Sequence, residues 1–356
     1  MILENSYDIA PFELDTDKKS DFLLEQLNDL TKHHLSNCSE YRLLIDKLCE
    51  KNPIYKNIKD VPFLPVRLFK YFDLLSVDKR EVVKTMTSSG TSGMNVSRIF
   101  LDKYTAGLQV RILSKIVSNF IGKKRLPMLI IDAKSTVYDK KKFSARAAGI
   151  LGFSIFGRDI EFALNDDMSL NIERVNNFIE KYSSENILIF GFTFMIWKHF
   201  ILKLESLDCQ LPLNHGTLIH GGGWKQLEKS SVDNKEFKNR LSGVTNISKV
   251  HNYYGMVEQT GSIFMECECG YFHASSFSEV IIRNPIDFSI VKKNNVGLIQ
   301  LLSVIPRSYP GHSLLSEDLG EFIGIDDCKC GRSGKYFNVY GRIKSAEVRG
   351  CSDTYS

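Results

Sequence analysis

The stretch Thr87-Ser88-Ser89-Gly90-Thr91-Ser92-Gly93 lies between two runs of strand character, Glu81 to Met86 and Ser97 to Asp102, and Arg98 follows it closely. Glycine lets a backbone reach positive φ and approach a ligand. Successive N–H groups in such a loop form a concave nest for an anion, and serine and threonine hydroxyls add donors without bulk. Arg98 supplies a permanent positive charge. This is the chemistry of a phosphate cradle. It is not the G-x-x-x-x-G-K-[ST] loop, because no lysine directly follows Gly93. A flexible turn has the same composition, so the motifs downstream decide between the two.

Outward from this loop, the chain reads as alternating elements. Residues 1–60 have helical spacing, with Leu23, Leu27, Leu30 and His34 on one face and Tyr41, Leu44, Ile45 and Leu48 on another. Pro62-Phe63-Leu64-Pro65 is an extended, proline-stiffened segment. Apolar runs of strand length occur at Pro127 to Asp132 and Ile187 to Phe190, with helical stretches at Thr105 to Phe120, Ile172 to Tyr182 and Phe194 to Leu204. Strands alternating with helices predict a mostly parallel sheet covered on both faces. Leu218-Ile219-His220-Gly221-Gly222-Gly223-Trp224 is another strand that ends in glycines, the kind of loop that lines ligand crevices in parallel sheets. Tyr253-Tyr254-Gly255-Met256-Val257-Glu258-Gln259 sets a stacking surface beside a bend, with a carboxylate, Glu258, suited to Mg²⁺. Beyond Gly261, short strands at Ile263 to Glu266, Glu279 to Arg283 and Leu298 to Ser303 predict a β-rich subdomain. Glu317-Asp318-Leu319-Gly320 and Gly341-Arg342 each place charges where turns are expected. The domain expectation is a helical region at 1–60, an α/β core at 61–260 and a β-rich subdomain with a tail at 261–356.

Composition excludes several classes. The 356 residues are 43% hydrophobic and 25% charged, as in ordinary globular chains, and the net charge of +4 is too small to argue for nucleic acid. No window is apolar for long enough to predict a membrane span. Glu4 and Asp8 occupy the start, where a secretory leader would be basic and then apolar, so a cytoplasmic protein is expected. The eight cysteines include two C-x-C-G knuckles, Cys267-Glu268-Cys269-Gly270 and Cys328-Lys329-Cys330-Gly331. Four thiolates of this kind suit a tetrahedral structural zinc, with His273 as a reserve ligand; free thiols are the alternative.

The order of these motifs resembles that of adenylate-forming enzymes, among them acyl-CoA synthetases, peptide-synthetase adenylation domains and firefly luciferase. The C-x-C-G-R segment near Gly341-Arg342 is similar to the phenylacetate-CoA ligase branch. Pro62 to Pro65, Ser88 to Gly93, His220 to Lys225, Tyr254 to Gln259 and Gly341 to Cys351 together resemble the acyl-protein synthetase (LuxE) family, the acid-activating component of bacterial bioluminescent fatty-acid reductase.

The resemblance implies an α/β adenylate-forming fold with a small β-rich subdomain. It also implies ATP and Mg²⁺ as requirements and activation of a fatty or other carboxylic acid as the acyl-adenylate. Ser88, Ser89, Gly90, Thr91, Ser92 and Gly93 would cradle phosphates, and Gly221, Gly222, Gly223 and Tyr254 would flank adenine. Asp318 would hold the ribose, Glu258 the magnesium, and Arg342 the developing charge. Cys351 matches the position of the acyl-accepting cysteine, whose thioester would pass to a reductase or acyltransferase partner. Three departures stand out: the missing lysine after Gly93, Val257 where wider relatives have threonine, and a sequence that stops soon after Arg342 where those relatives continue into a lid. A ligase using coenzyme A or a carrier protein, and a non-catalytic nucleotide-binding subunit, are the alternative readings.

Overall fold

The computed structural model describes residues 7–48, 54–88, 96–138, 144–224 and 231–343. In chain order the elements are α1 (Thr16–Asn37), α2 (Ser39–Leu48), β1 (Leu64–Pro65), β2 (Val82–Thr87), β3 (Arg98–Asp102), α3 (Lys103–Ile121), β4 (Leu126–Ala133), α4 (Ser135–Tyr138), α5 (Ala145–Ser154), β5 (Gly157–Leu164), α6 (Ile172–Lys181), β6 (Ile187–Phe192), α7 (Thr193–Ile196), α8 (Leu202–Ser206), β7 (Gly216–Gly221), α9 (Asn234–Thr245), β8 (Lys249–Tyr254), β9 (Phe264–Glu266), β10 (Phe272–His273), β11 (Ser278–Arg283), β12 (Val296–Ser303), β13 (Ser313–Ile325) and β14 (Lys335–Arg342). Over the described residues they fall into two compact units, one of 7–88, 96–120 and 254–343, the other of 121–253.

In the second unit, β5, β4, β6, β7 and β8 lie side by side, and every pair is parallel. Met128 to Ile131, Leu188, Phe190, Leu218 and Ile219 are buried. This continuous apolarity is what a parallel strand covered on both faces requires. The crossover helices start at side-chain caps: Asn171 Oδ1 accepts from the Arg174 N–H at 2.9 Å, and Asp233 Oδ1 from that of Glu236 at 2.7 Å. Each cap is worth about 1 kcal/mol. Asn246, in the left-handed region at φ 59°, ends α9. The helix expected over Phe194 to Leu204 is interrupted: a π turn at Trp197–Ile201 separates α7 from α8.

In the first unit, β11, β12, β13, β14, β10 and β9 form an antiparallel ladder, and β1 pairs parallel with the start of β13. Helix α1 is capped by Asp15, and its buried Leu23, Leu27, Leu30 and His34 recur at helical spacing. Replacing Leu27 with alanine would cost about 2–5 kcal/mol. Cys38, Tyr41, Leu64, Phe69, Ile99 and Leu314 build one core; Phe264, Val280, Ile299 and Phe337 are central to another.

The charged segments around Asp318 and Arg342 are not turns, as the sequence suggested. They lie within β13 and β14 and face one another directly in the ladder. Opposite charges across neighbouring strands stabilise the pairing, so polarity here marks a cross-strand contact rather than a loop.

Candidate active site

Tyr254 closes β8, and the chain bends at Gly255, where a Cβ would lie 3.2 Å from Ile263 Cγ2. A single 3₁₀ turn, Val257–Gln259, buries Glu258 and Gln259. The Gln259 amide donates to the carbonyls of Leu301 at 3.1 Å and Gly311 at 2.7 Å, and the Tyr309 hydroxyl donates to the Glu258 carbonyl at 2.9 Å. The turn is therefore held from several sides. Only 6% of Glu258 is exposed, and its carboxylate has no ion-pair partner among the described residues. Burial raises its pKa; the neighbouring Ser97 hydroxyl and the Arg342 charge work the other way. A buried carboxylate without a counter-ion is a donor suited to a hard cation such as Mg²⁺.

Asp318 sits between two partners. Its Oδ2 accepts from the Tyr254 hydroxyl at 2.6 Å, and its Oδ1 lies 3.7 Å from Arg342 Nε. Burial pushes the Asp318 carboxyl up, against the Tyr254 hydrogen bond and the Arg342 charge. Burial first, then the adjacent Asp318 charge, holds Tyr254 well above its ordinary range. The Asp318 side chain is 16% exposed and that of Arg342 36%, so the guanidinium side of the group is open. Arg342 lowers the pKa of Tyr254, Glu258 and Asp318 alike. Residues read from separate motifs thus share one electrostatic environment. Beside them Arg67 Nε donates to Glu317 Oε1 at 2.6 Å.

At the end of the β2–β3 hairpin, the Ser97 N–H donates to Ser88 Oγ at 2.9 Å, and the Ser88 N–H to the Ser97 carbonyl at 3.0 Å. Arg98, expected to serve the loop, makes an ion pair with Asp73 at 2.7 Å. Ser89, Gly90, Thr91, Ser92 and Gly93 lie outside the described residues, as does Cys351.

In the second unit, β7 delivers His220 and Gly221. A Cβ on Gly221 would come within 2.4 Å of the Tyr253 ring, so only glycine fits there. Gly222 follows with φ 79°, and Gly223 is exposed. The Tyr253 ring packs on Gly221 and is tilted against Phe153 at 5.0 Å. His220 is buried, stacked on Phe237 at 4.7 Å, with Nδ1 2.9 Å from Thr193 Oγ1. Burial pushes its pKa down to about 3, which keeps the ring neutral.

The knuckles come together in part. Cys267, Cys328 and Cys330 converge with His273, their ligand atoms all within 4.8 Å of one another. Cys269 is exposed and outside this group. The sequence does not single out Ser97 or Tyr309; a lone serine or tyrosine has no signature apart from its neighbours in space.

A parallel α/β unit and an antiparallel unit with this Tyr–Asp–Arg–Glu group define the class. The fold is that of the adenylate-forming ligases, with a TM-score of 0.70 to 2-hydroxyisobutyryl-CoA ligase, solved with 2-HIB-AMP and CoA; the match has 14% identity and covers 94% of this chain and 77% of that one. The chain belongs to the family "Acyl-protein synthetase, LuxE", which matches residues 2–356, and is accordingly a ligase. It is 23% identical over 340 residues to the long-chain-fatty-acid–luciferin-component ligase of Vibrio harveyi, covering 90% of this chain and 84% of that protein. To the Aliivibrio fischeri protein of the same name it is 22% identical over 303 residues, 81% of this chain and 75% of that one. No helix among the described residues is long and apolar enough to cross a membrane.

Proposed function

We propose that the protein activates a long-chain fatty acid with ATP and transfers the acyl group to its own Cys351 for delivery to a reductase or acyltransferase partner. In the first step a carboxylate oxygen of the acid attacks the α-phosphorus of ATP. The bond from that phosphorus to the bridging oxygen breaks, and pyrophosphate leaves. In the second, the Cys351 thiolate attacks the acyl carbon of the mixed anhydride, the bond to the phosphate oxygen breaks, and AMP leaves. The thiol proton goes to solvent.

The observation that carries the reading is the convergence of Tyr254, Asp318, Arg342 and Glu258 in a chain of this family. Asp318 accepts hydrogen bonds from the ribose hydroxyls, and Tyr254 fixes the carboxylate that does so. Arg342, on the open side, meets charge developing on the phosphates. Glu258 would hold the Mg²⁺, which when bound neutralises charge on the phosphate oxygens. The Ser88–Gly93 loop would cradle the phosphates. Cys351 is nine residues beyond Arg342 in the sequence, a tether of at most about 30 Å. Such a tether presents the thiol at high effective concentration.

The test uses purified protein with ATP, Mg²⁺ and a radiolabelled long-chain fatty acid. ATP–pyrophosphate exchange should be acid-dependent, and the label on the protein should be sensitive to hydroxylamine. In Cys351→Ser the exchange should persist and the label vanish. Unchanged labelling would remove Cys351 from the mechanism, and release of acyl-CoA by an unlabelled wild type would transfer the second step to coenzyme A.

A further inference from the structure

The two C-x-C-G knuckles adopt one backbone shape. In each, the glycine N–H donates to the carbonyl of the first cysteine, Gly270 to Cys267 at 2.9 Å and Gly331 to Cys328 at 3.0 Å. Both glycines take positive φ, 86° and 77°, which favours glycine at these turns. The first knuckle links β9 to β10 and the second lies between β13 and β14, and β10 pairs with β14. Two tips of neighbouring hairpins are therefore brought together. Arg332 ties them a second time, donating from Nη1 to Glu268 Oε2 at 2.6 Å.

Their side chains diverge. The first knuckle turns Cys267 inward and leaves Cys269 exposed, whereas the second contributes both Cys328 and Cys330. The fourth inward ligand is His273, on β10. The Cys267 and Cys328 sulfurs are 3.9 Å apart, far from the roughly 2.05 Å of a disulfide. Cys330 Sγ lies 3.4 Å from His273 Nε2. A tetrahedral zinc with ordinary Zn–S and Zn–N bonds places two sulfurs about 3.8 Å apart and a sulfur about 3.5 Å from a nitrogen. The Cys269 N–H points to Cys267 Sγ at 3.4 Å, the kind of donor that supports a metal-bound thiolate.

We infer that Cys267, His273, Cys328 and Cys330 form a closed structural zinc site, and that Cys269 is not a ligand. Three soft sulfurs and an imidazole select zinc over hard cations. With all four positions filled by protein, the ion has no opening for substrate. Its ladder position supports that role. From Ile325↔Lys335, near the second knuckle, to Asp318↔Arg342 is seven residues along β13, about 23 Å of strand. The ion fixes one end of the hairpin whose other end carries the Asp318–Arg342 pair.

The test is metal analysis of full-length protein purified without a chelator or a metal-affinity step, combined with X-ray absorption at the zinc edge. About one zinc per chain is expected, with three sulfurs and one nitrogen in its shell. Cys328→Ser and His273→Ala should drop below about a tenth of a zinc per chain, while Cys269→Ser should match wild type. The wild-type measurements stand even where a ligand variant fails to fold. A four-sulfur shell, or loss of zinc in Cys269→Ser, would overturn the assignment of His273. An iron–sulfur chromophore, a Cys267–Cys328 disulfide, or wild-type protein without zinc would overturn the site.

Discussion

Replacing Tyr254 with phenylalanine isolates one hydrogen bond. The ring would stay packed against Phe264, Phe272 and Phe337, so only the hydroxyl that donates to Asp318 at 2.6 Å is lost. Hydrogen bonds to charged groups contribute about 1.5–3 kcal/mol, or roughly 10- to 150-fold in a rate. Asp318 retains 16% side-chain exposure, and water reaching it would replace part of the loss. The lower end, about a tenfold drop in kcat/KM for ATP, is therefore expected. The pH dependence carries a second signature. Burial already raises Asp318 and the Tyr254 bond opposes that rise. Removing the donor pushes the carboxyl further up, so its working ionised form is lost at a higher pH, and the acid limb of the profile moves up. ATP–pyrophosphate exchange against ATP concentration, at several pH values, measures both effects, and a urea titration separates them from unfolding. A variant within twofold of wild type, with an unmoved acid limb, would refute the positioning role.

Glu258→Gln should slow ATP–pyrophosphate exchange on the order of 100-fold. Because it replaces a buried carboxylate that has no ion-pair partner among the described residues, its Tm should hold or rise; a falling Tm with normal exchange would show that the carboxylate is structural. Acid should destabilise the fold through His220 and His312, which burial lowers to about 3. Their folded pKa values lie below the unfolded value of 6.5, so the unfolded chain takes up protons first. Stability holds above that pH and falls as pH drops toward 3, by about 2 kcal/mol for each histidine at pH 5. Urea midpoints at pH 7.5 and 5 measure this, His312→Gln should shrink the difference by that one histidine's share, and equal wild-type midpoints would contradict it.

The second unit was the more legible from sequence. Met128 to Ile131, Leu188 to Phe190 and Leu218 to Ile219 are apolar because parallel strands have two buried faces, and glycines at their ends mark loops. β5 has no clear strand signature in the sequence, because Arg158, Asp159 and Glu161 interrupt its apolar pattern. The charged segments within β13 and β14 look like turns for the same reason: Asp318 and Arg342 satisfy each other across the ladder, a relation between residues distant in sequence. The site motifs were visible singly; that the Tyr254 hydroxyl meets Asp318 was not, because it depends on register. Likewise the equal spacing of the knuckles concealed that His273 replaces Cys269 in the converging set.

β13 is thirteen residues long, flanked by β12 on one side and β14 on the other, with β1 added near its start. A strand bonded along both edges releases its amide protons to solvent only when a large part of the sheet opens. Leu319, Gly320 and Glu321 are paired on both edges, so their amides belong among the slowest to exchange with deuterium; Asp318, its own N–H on Ser316 Oγ at 3.2 Å, is carried next to them. The carboxylate proposed to meet the ribose would then be a fixed reference, and any adjustment to a nucleotide would fall to the groups that come to it.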